Sequence, residues 1–103
     1  MEYIELNNGI KMPMLGLGTY LLTPDEAENS VEVALKNGYK LIDTANAYVN
    51  EKAVGRGIKK SGIDRSEIFL ETKLWPSFYE DDDAIEKTLK RLDTDYIDLM
   101  ILH

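Results

Sequence analysis

The chain has no cysteine and only one histidine, His103. The first absence excludes disulfides and thiolate metal sites, and a lone imidazole leaves no basis for a conventional zinc site, so no metal is expected. Basic residues are also scarce, 12 Lys and Arg against 19 Asp and Glu, which gives a formal net charge of −7. Phosphate-backbone binding needs clustered cations, and these are scattered, so nucleic acid is not an expected partner. No apolar run approaches the roughly 20 residues that span a bilayer. The start, Met1 to Glu5, lacks a basic segment followed by an apolar signal core. No membrane association is expected, and missing cysteine together with missing signals makes a reducing, cytoplasmic location the expectation. The apolar content of 44% over 103 residues is ordinary for one small globular domain and argues against disorder.

Punctuation divides the chain cleanly. Tyr3 to Glu5 and Lys11 to Met12 flank Asn7-Asn8-Gly9, a turn signal that predicts a small hairpin acting as a cap. Met14 to Gly18 reads as a short buried strand. In Thr23-Pro24-Asp25-Glu26, Thr23 can cap a helix, Pro24 suits its first position and Glu26 can close a capping box. Ala27, Val31, Ala34 and Leu35 supply the apolar face, and Asn37-Gly38 ends the helix. Tyr39 to Asp43 is the next strand, followed by a loop and a helix from about Asn50 to Lys60, with Ala53, Val54 and Ile58 on one face and Ser61-Gly62 as its stop. Ile68 to Lys73 is a third strand. Ala84, Ile85, Thr88, Leu89 and Leu92 then recur at helical spacing behind the acids Glu80 to Asp83, and Tyr96 to Leu102 forms a fourth strand.

Strictly alternating strands and helices imply an α/β fold with a parallel sheet, either doubly wound or a (β/α)8 barrel. Periodicity alone does not separate the two. Dinucleotide binding of the doubly wound kind wants G-x-G-x-x-G after the first strand, and Gly16-Leu17-Gly18 is followed by Thr19-Tyr20-Leu21 without a third glycine. A tight strand end accounts for these glycines at least as well.

The chemistry lies where strands end. Asp43 closes the second strand, Tyr48 lies in its loop, Lys73 closes the third and His103 follows the fourth. In a parallel barrel such positions converge at one face. Hydride arriving at a carbonyl carbon leaves negative charge on oxygen, which needs a proton donor or a positive environment. An unperturbed tyrosine is a poor acid near neutrality, with a pKa of about 10. A neighbouring lysine favours phenolate, and a carboxylate keeps that lysine charged and in place. Tyr48, Lys73 and Asp43 suit these three roles, and His103 can orient the carbonyl oxygen. Taken singly, each has a bland reading: a loop acid, a loop aromatic, a solvated strand-end charge, a surface imidazole. Their joint placement is what favours a site. Trp75 alone would be packing, Glu51 reads as structural at a helix start, and Gly55 as a close helix contact.

These residues resemble the aldo-keto reductases. The stretch Gly38-Tyr39-Lys40-Leu41-Ile42-Asp43-Thr44-Ala45, with Tyr48, Asn50-Glu51 and Val54-Gly55, is similar to that family's first signature. Met12-Pro13, Leu15 to Thr19, Thr72-Lys73-Leu74-Trp75 and Asp95 to Leu99 leading to Leu102-His103 extend the match. The resemblance implies the N-terminal half of a (β/α)8 TIM barrel, from the hairpin through the fourth strand, with residues 1–103 a partial domain. It also implies a catalytic tetrad of Asp43, Tyr48, Lys73 and His103, with Tyr48 as general acid and NADPH as hydride donor. Gly18, Thr19, Tyr20 and Asp43 would lie near the nicotinamide and its ribose. Tyr20, Tyr48, Trp75 and His103 would bound a small carbonyl substrate. Two positions depart mildly from the common pattern, Lys40 in place of arginine and Tyr20 in place of tryptophan.

A complete barrel of this kind needs about 250 residues. The expectation is therefore a portion of a longer, monomeric reductase, with the isolated half weak in catalysis and prone to self-association through its open edges. The alternative is a catalytically silent half-barrel that serves as a subunit or interaction module.

Overall fold

Thr23 begins the first helix as its residue type predicts. In the computed structural model, which describes residues 2–103, α1 spans Pro24–Lys36. The Glu26 N–H donates to the Thr23 hydroxyl while the Thr23 N–H donates to the Glu26 carboxylate, closing the capping box. Asn37 caps the other end, and Gly38 turns the chain with a left-handed φ of 96° that a side chain would resist. The N-terminal hairpin pairs β1 (Tyr3–Glu5) antiparallel with β2 (Lys11–Pro13).

The main sheet is parallel, with β3 (Gly16–Gly18), β4 (Leu41–Asp43), β5 (Phe69–Leu74) and β6 (Leu99–Leu102) in chain order. Helices α2 (Glu51–Ser61) and α3 (Ala84–Leu92) complete the crossovers. Two observations decide between the architectures left open above. Strand order never reverses, so no topological switch point exists among the described residues. All three helices also lie on one side: Ala27, Val31 and Leu35 of α1, Ala53, Val54 and Ile58 of α2 and Leu92 of α3 share one core with Ile42 and Leu70 of the sheet. A doubly wound sheet would carry helices on both faces. This is the N-terminal half of a (β/α)8 barrel, and its other face, formed by Gly16, Gly18, Leu41, Asp43, Phe69, Glu71, Lys73, Leu99 and Ile101, is the barrel interior.

Three strands are shorter than the sequence predicts, β4 starting at Leu41 and not at Tyr39. Met14 and Leu15 remain exposed ahead of β3. Before β6, the segment from Tyr96 to Asp98 is held by side chains instead of a full ladder. Arg65 donates to the Tyr96 carbonyl at 2.8 Å and pairs with Asp98 at 2.9 Å, while the Asp98 carboxylate accepts the Leu70 N–H at 2.8 Å. The Asp98 N–H still donates to the Leu70 carbonyl at 3.0 Å, but its carboxylate substitutes for the strand carbonyl that would accept the Leu70 N–H.

The layer of helices depends on two glycines. A Cβ at Gly55 would lie 2.5 Å from the Leu92 carbonyl oxygen, and one at Gly57 would lie 2.6 Å from that of Glu28. Both obstacles are backbone, which cannot swing aside. Glu51, the first residue of α2, is buried and joins three elements: its carboxylate accepts from Thr72 of β5 and from Arg91 of α3, both at 2.7 Å. No helix among the described residues is long and apolar enough to cross a membrane. The Gly55→Ala substitution is expected to force α2 and α3 apart and cost about 1–3 kcal/mol, read as a lower denaturant midpoint with unchanged slope in the full-length protein; an unchanged midpoint would refute the contact.

Candidate active site

Side chains alternate along a strand, so Lys73 and Glu71 of β5 share the interior face with Asp43, which is registered opposite Glu71 on β4. The Lys73 ammonium uses all three of its donors. It reaches Asp43 Oδ1 at 2.7 Å, the Thr44 carbonyl at 3.1 Å and the Tyr48 hydroxyl at 3.2 Å. Burial works against its charge, but the hydrogen bonds to Asp43 and Tyr48 outweigh that and raise the Lys73 pKa above the ordinary lysine value. The ammonium therefore stays protonated throughout the neutral range.

Tyr48 is delivered by a single 3₁₀ turn, Asn46–Tyr48, directly after β4. His103 continues β6, its N–H donating to the Leu74 carbonyl at 2.9 Å and its own carbonyl accepting from the Tyr79 hydroxyl at 2.8 Å. Its ring stands edge-on to Tyr48 at 6.3 Å between centroids and to Trp75 at 5.2 Å. Tyr20 closes the opposite side, 5.1 Å from Tyr48. The four residues expected to act together, and both expected pocket walls, thus meet on one rim at the C-terminal ends of the strands. Gly18 sits opposite Asp43 in the β3–β4 ladder, and a Cβ added there would meet nothing within 4 Å, which leaves open space beside the Asp43 carboxylate.

Thr19 differs from its neighbours. It is fully buried, its hydroxyl and N–H both donate to the Asp43 carbonyl, and its carbonyl accepts from Asn50. These bonds fix the chain between Gly18 and Tyr20, and the Thr19 hydroxyl oxygen, used as a donor only, keeps its acceptor capacity.

Three residues that the sequence did not single out for the site also shape it. Asn50, marking only a helix start in the sequence, does not cap that helix with its side chain. Its amide instead accepts from the Thr44 hydroxyl at 2.9 Å and donates to the carbonyls of Thr19 and Leu22, tying the loop after β3 to the loop after β4. Thr44 is the second. The third is Glu71, buried in the interior against Asp43. Burial above all, then a hydrogen bond to Asp43 and that residue's charge, push the Glu71 carboxyl up to about 7 against the opposing pull of Lys73. Its signal in the sequence was an acid inside an apolar strand, two residues before a strand-end lysine. A groove of about 1010 Å³ between α2 and α3, lined by Ile58, Ile63, Arg65 and Tyr96, lies at the other end of the strands and contains none of these groups.

The sequence model of the aldo/keto reductase family matches residues 14–103. The chain is 47% identical over 103 residues to a morphine 6-dehydrogenase of Pseudomonas putida, covering 97% of this chain and 35% of that protein. It is 47% identical over 106 residues to a glyoxal reductase of Bacillus subtilis, covering 99% and 38% respectively. An aldehyde reductase of Saccharomyces cerevisiae shows 48% identity over 101 residues, with 97% and 32% covered. Among solved structures, an aldo/keto reductase from Brucella melitensis superposes with a TM-score of 0.93 at 46% identity, over 99% of this chain and 40% of that one. The chain thus spans about a third of the length of the curated relatives it matches.

The raised Glu71 pKa has a consequence for stability. Between its ordinary value of 4.5 and about 7, the folded protein holds a proton that the unfolded chain has released. Stability therefore falls as pH rises through that window and levels off above it, by on the order of 3 kcal/mol at most. Glu71→Gln is expected to remove this component, so that the variant's Tm gains on the wild type between acid and mildly alkaline pH; parallel Tm profiles would refute it.

Proposed function

Because the chain belongs to the aldo/keto reductase family, we propose that it carries the proton-transfer half of a nicotinamide-dependent carbonyl reductase, with Asp43, Tyr48, Lys73 and His103 as the working set. The observation that carries this reading is the single ammonium of Lys73, which touches both the Asp43 carboxylate and the Tyr48 hydroxyl. A phenol held against a half-buried lysine whose pKa is raised above the ordinary value is built to release a proton and tolerate the charge left behind.

The rim fits the reactive end of a nicotinamide cofactor. Open space at Gly18 admits a flat ring, the partly exposed Asp43 carboxylate can accept from ribose hydroxyls, and Tyr20 offers an exposed aromatic face. NADPH, when bound, supplies the hydride. The residues of this chain supply the rest. His103 and Tyr48 converge on a carbonyl oxygen from two sides, which orients it. As negative charge develops on that oxygen, Tyr48 donates its proton and Lys73 stabilises the phenolate. Asp43 offsets the lysine charge, so the resting site gathers no net positive charge from the pair. Tyr20, Trp75 and His103 form the walls against which a small aldehyde or ketone would pack, and the glyoxal and aldehyde reductases among the relatives support that substrate class.

In the full-length protein that contains this chain, Tyr48→Phe is expected to lower kcat/KM for aldehyde reduction by about 10²- to 10⁴-fold, the contribution of a positioned general acid. The dissociation constant for NADPH, measured by quenching of protein fluorescence, should change little. Retention of full activity by the variant would remove Tyr48 from the proposed role.

A further inference from the structure

Glu71 has no part in the mechanism above, although it is buried beneath that site. It lies opposite Asp43 in the β4–β5 ladder and two residues before Lys73, on the same interior face. Its neighbour on β6 is Leu99, which is apolar. The remaining acid and base attached to this strand, Glu51 and Arg91, meet Thr72 and one another on the helix side. The charged groups that act on Glu71 are therefore Asp43 and Lys73 alone among the described residues.

Two carboxyls set side by side on one face of a ladder share a proton more readily than they hold two charges. We infer that Glu71 is a positioning residue for the proton relay: its carboxyl keeps a proton, donates it as a hydrogen bond to Asp43, and so leaves a single carboxylate to hold Lys73 against Tyr48. This rests on the reductase reading. While Glu71 is neutral, the lysine charge is balanced once and its remaining field falls on the Tyr48 oxygen. When Glu71 ionises, a second carboxylate draws on the same ammonium. Less positive field then reaches the phenolate that forms as Tyr48 gives up its proton, and reduction slows. Burial and the neighbouring Asp43 push the Glu71 pKa up toward neutrality, so the inferred relay would respond to pH in that range.

The test uses the full-length reductase. Wild-type kcat/KM for carbonyl reduction is expected to fall roughly threefold to tenfold as pH rises through neutrality, the effect of one added charge nearby. Glu71→Gln keeps the shape and the hydrogen-bond donor but cannot ionise, so its profile should lose that break. An infrared titration provides a readout that does not depend on turnover: the wild type should show a protonated carboxyl that disappears through the neutral range, and the Gln variant should lack it. A merely structural Glu71 would change overall activity and leave the pH break in place. A working reductase whose break and infrared band both survive Glu71→Gln overturns the assignment alone. A full-length protein that reduces no carbonyl, or a Tyr48→Phe variant as active as the wild type, overturns the reductase reading and the positioning role with it.

Discussion

The register between β4 and β5 is the constraint from which the rest follows. Side chains alternate between faces, so a slip of one residue would send Asp43 or Lys73 into the helix layer and bring Ile42 or Leu70 into the barrel interior. Burying an unpaired charge among Val31, Val54 and Leu92 would cost far more than any single contact returns. The hydrophobic core thus enforces the electrostatic geometry on the opposite face of the same strands. The Asp43 to Lys73 contact does not need to be strong to be reliable, because packing has already removed the alternatives.

Strand β5 is fixed from several directions. On the helix side Thr72 donates to the buried Glu51, which is also paired with Arg91. At its beginning, the Leu70 N–H is taken by Asp98, and Asp98 is paired with Arg65. At its end, the Leu74 carbonyl accepts the His103 N–H. Buried or half-buried ion pairs of this kind add little net stability, since desolvation offsets most of the attraction. They do specify a single arrangement, because removing one partner leaves a charge without compensation. Here that specificity acts on the strand that carries Lys73 and Glu71.

The architecture was legible because its signals are local. The capping box at Thr23, the glycines at 38 and 62 and the apolar spacing of α1 to α3 each correspond to an element in the structure. The convergence of Asp43, Tyr48, Lys73 and His103 followed from the rule that parallel strands end on one rim, together with the match to the family signature. Asn50 was not legible as a brace. An asparagine at a helix start carries the same signal whether its side chain caps that helix or reaches 31 residues back to Thr19. Asp98 was hidden in the same way, since an acid inside an apolar run gives no notice that it will replace a strand carbonyl. The placement of Glu71 required the register, because only pairing sets it opposite Asp43 rather than against a neighbour of other charge.

The loops of the rim show how the site resists relaxation. Leu21 and Val49, which follow Tyr20 and Tyr48, both hold left-handed backbone, with φ of 66° and 59°. For a β-branched residue such as Val49 this conformation is unfavourable, by about 1–3 kcal/mol. Asn50, next in sequence and bonded to Thr44, Thr19 and Leu22, anchors the chain between the 3₁₀ turn and α2 and so helps to hold it. The same turn carries Tyr48, whose hydroxyl lies 3.2 Å from the Lys73 ammonium. In the proposed mechanism, a Tyr48 hydroxyl already set against a fixed charge would need no reorganisation as negative charge appeared on a carbonyl, the condition on which electrostatic catalysis depends.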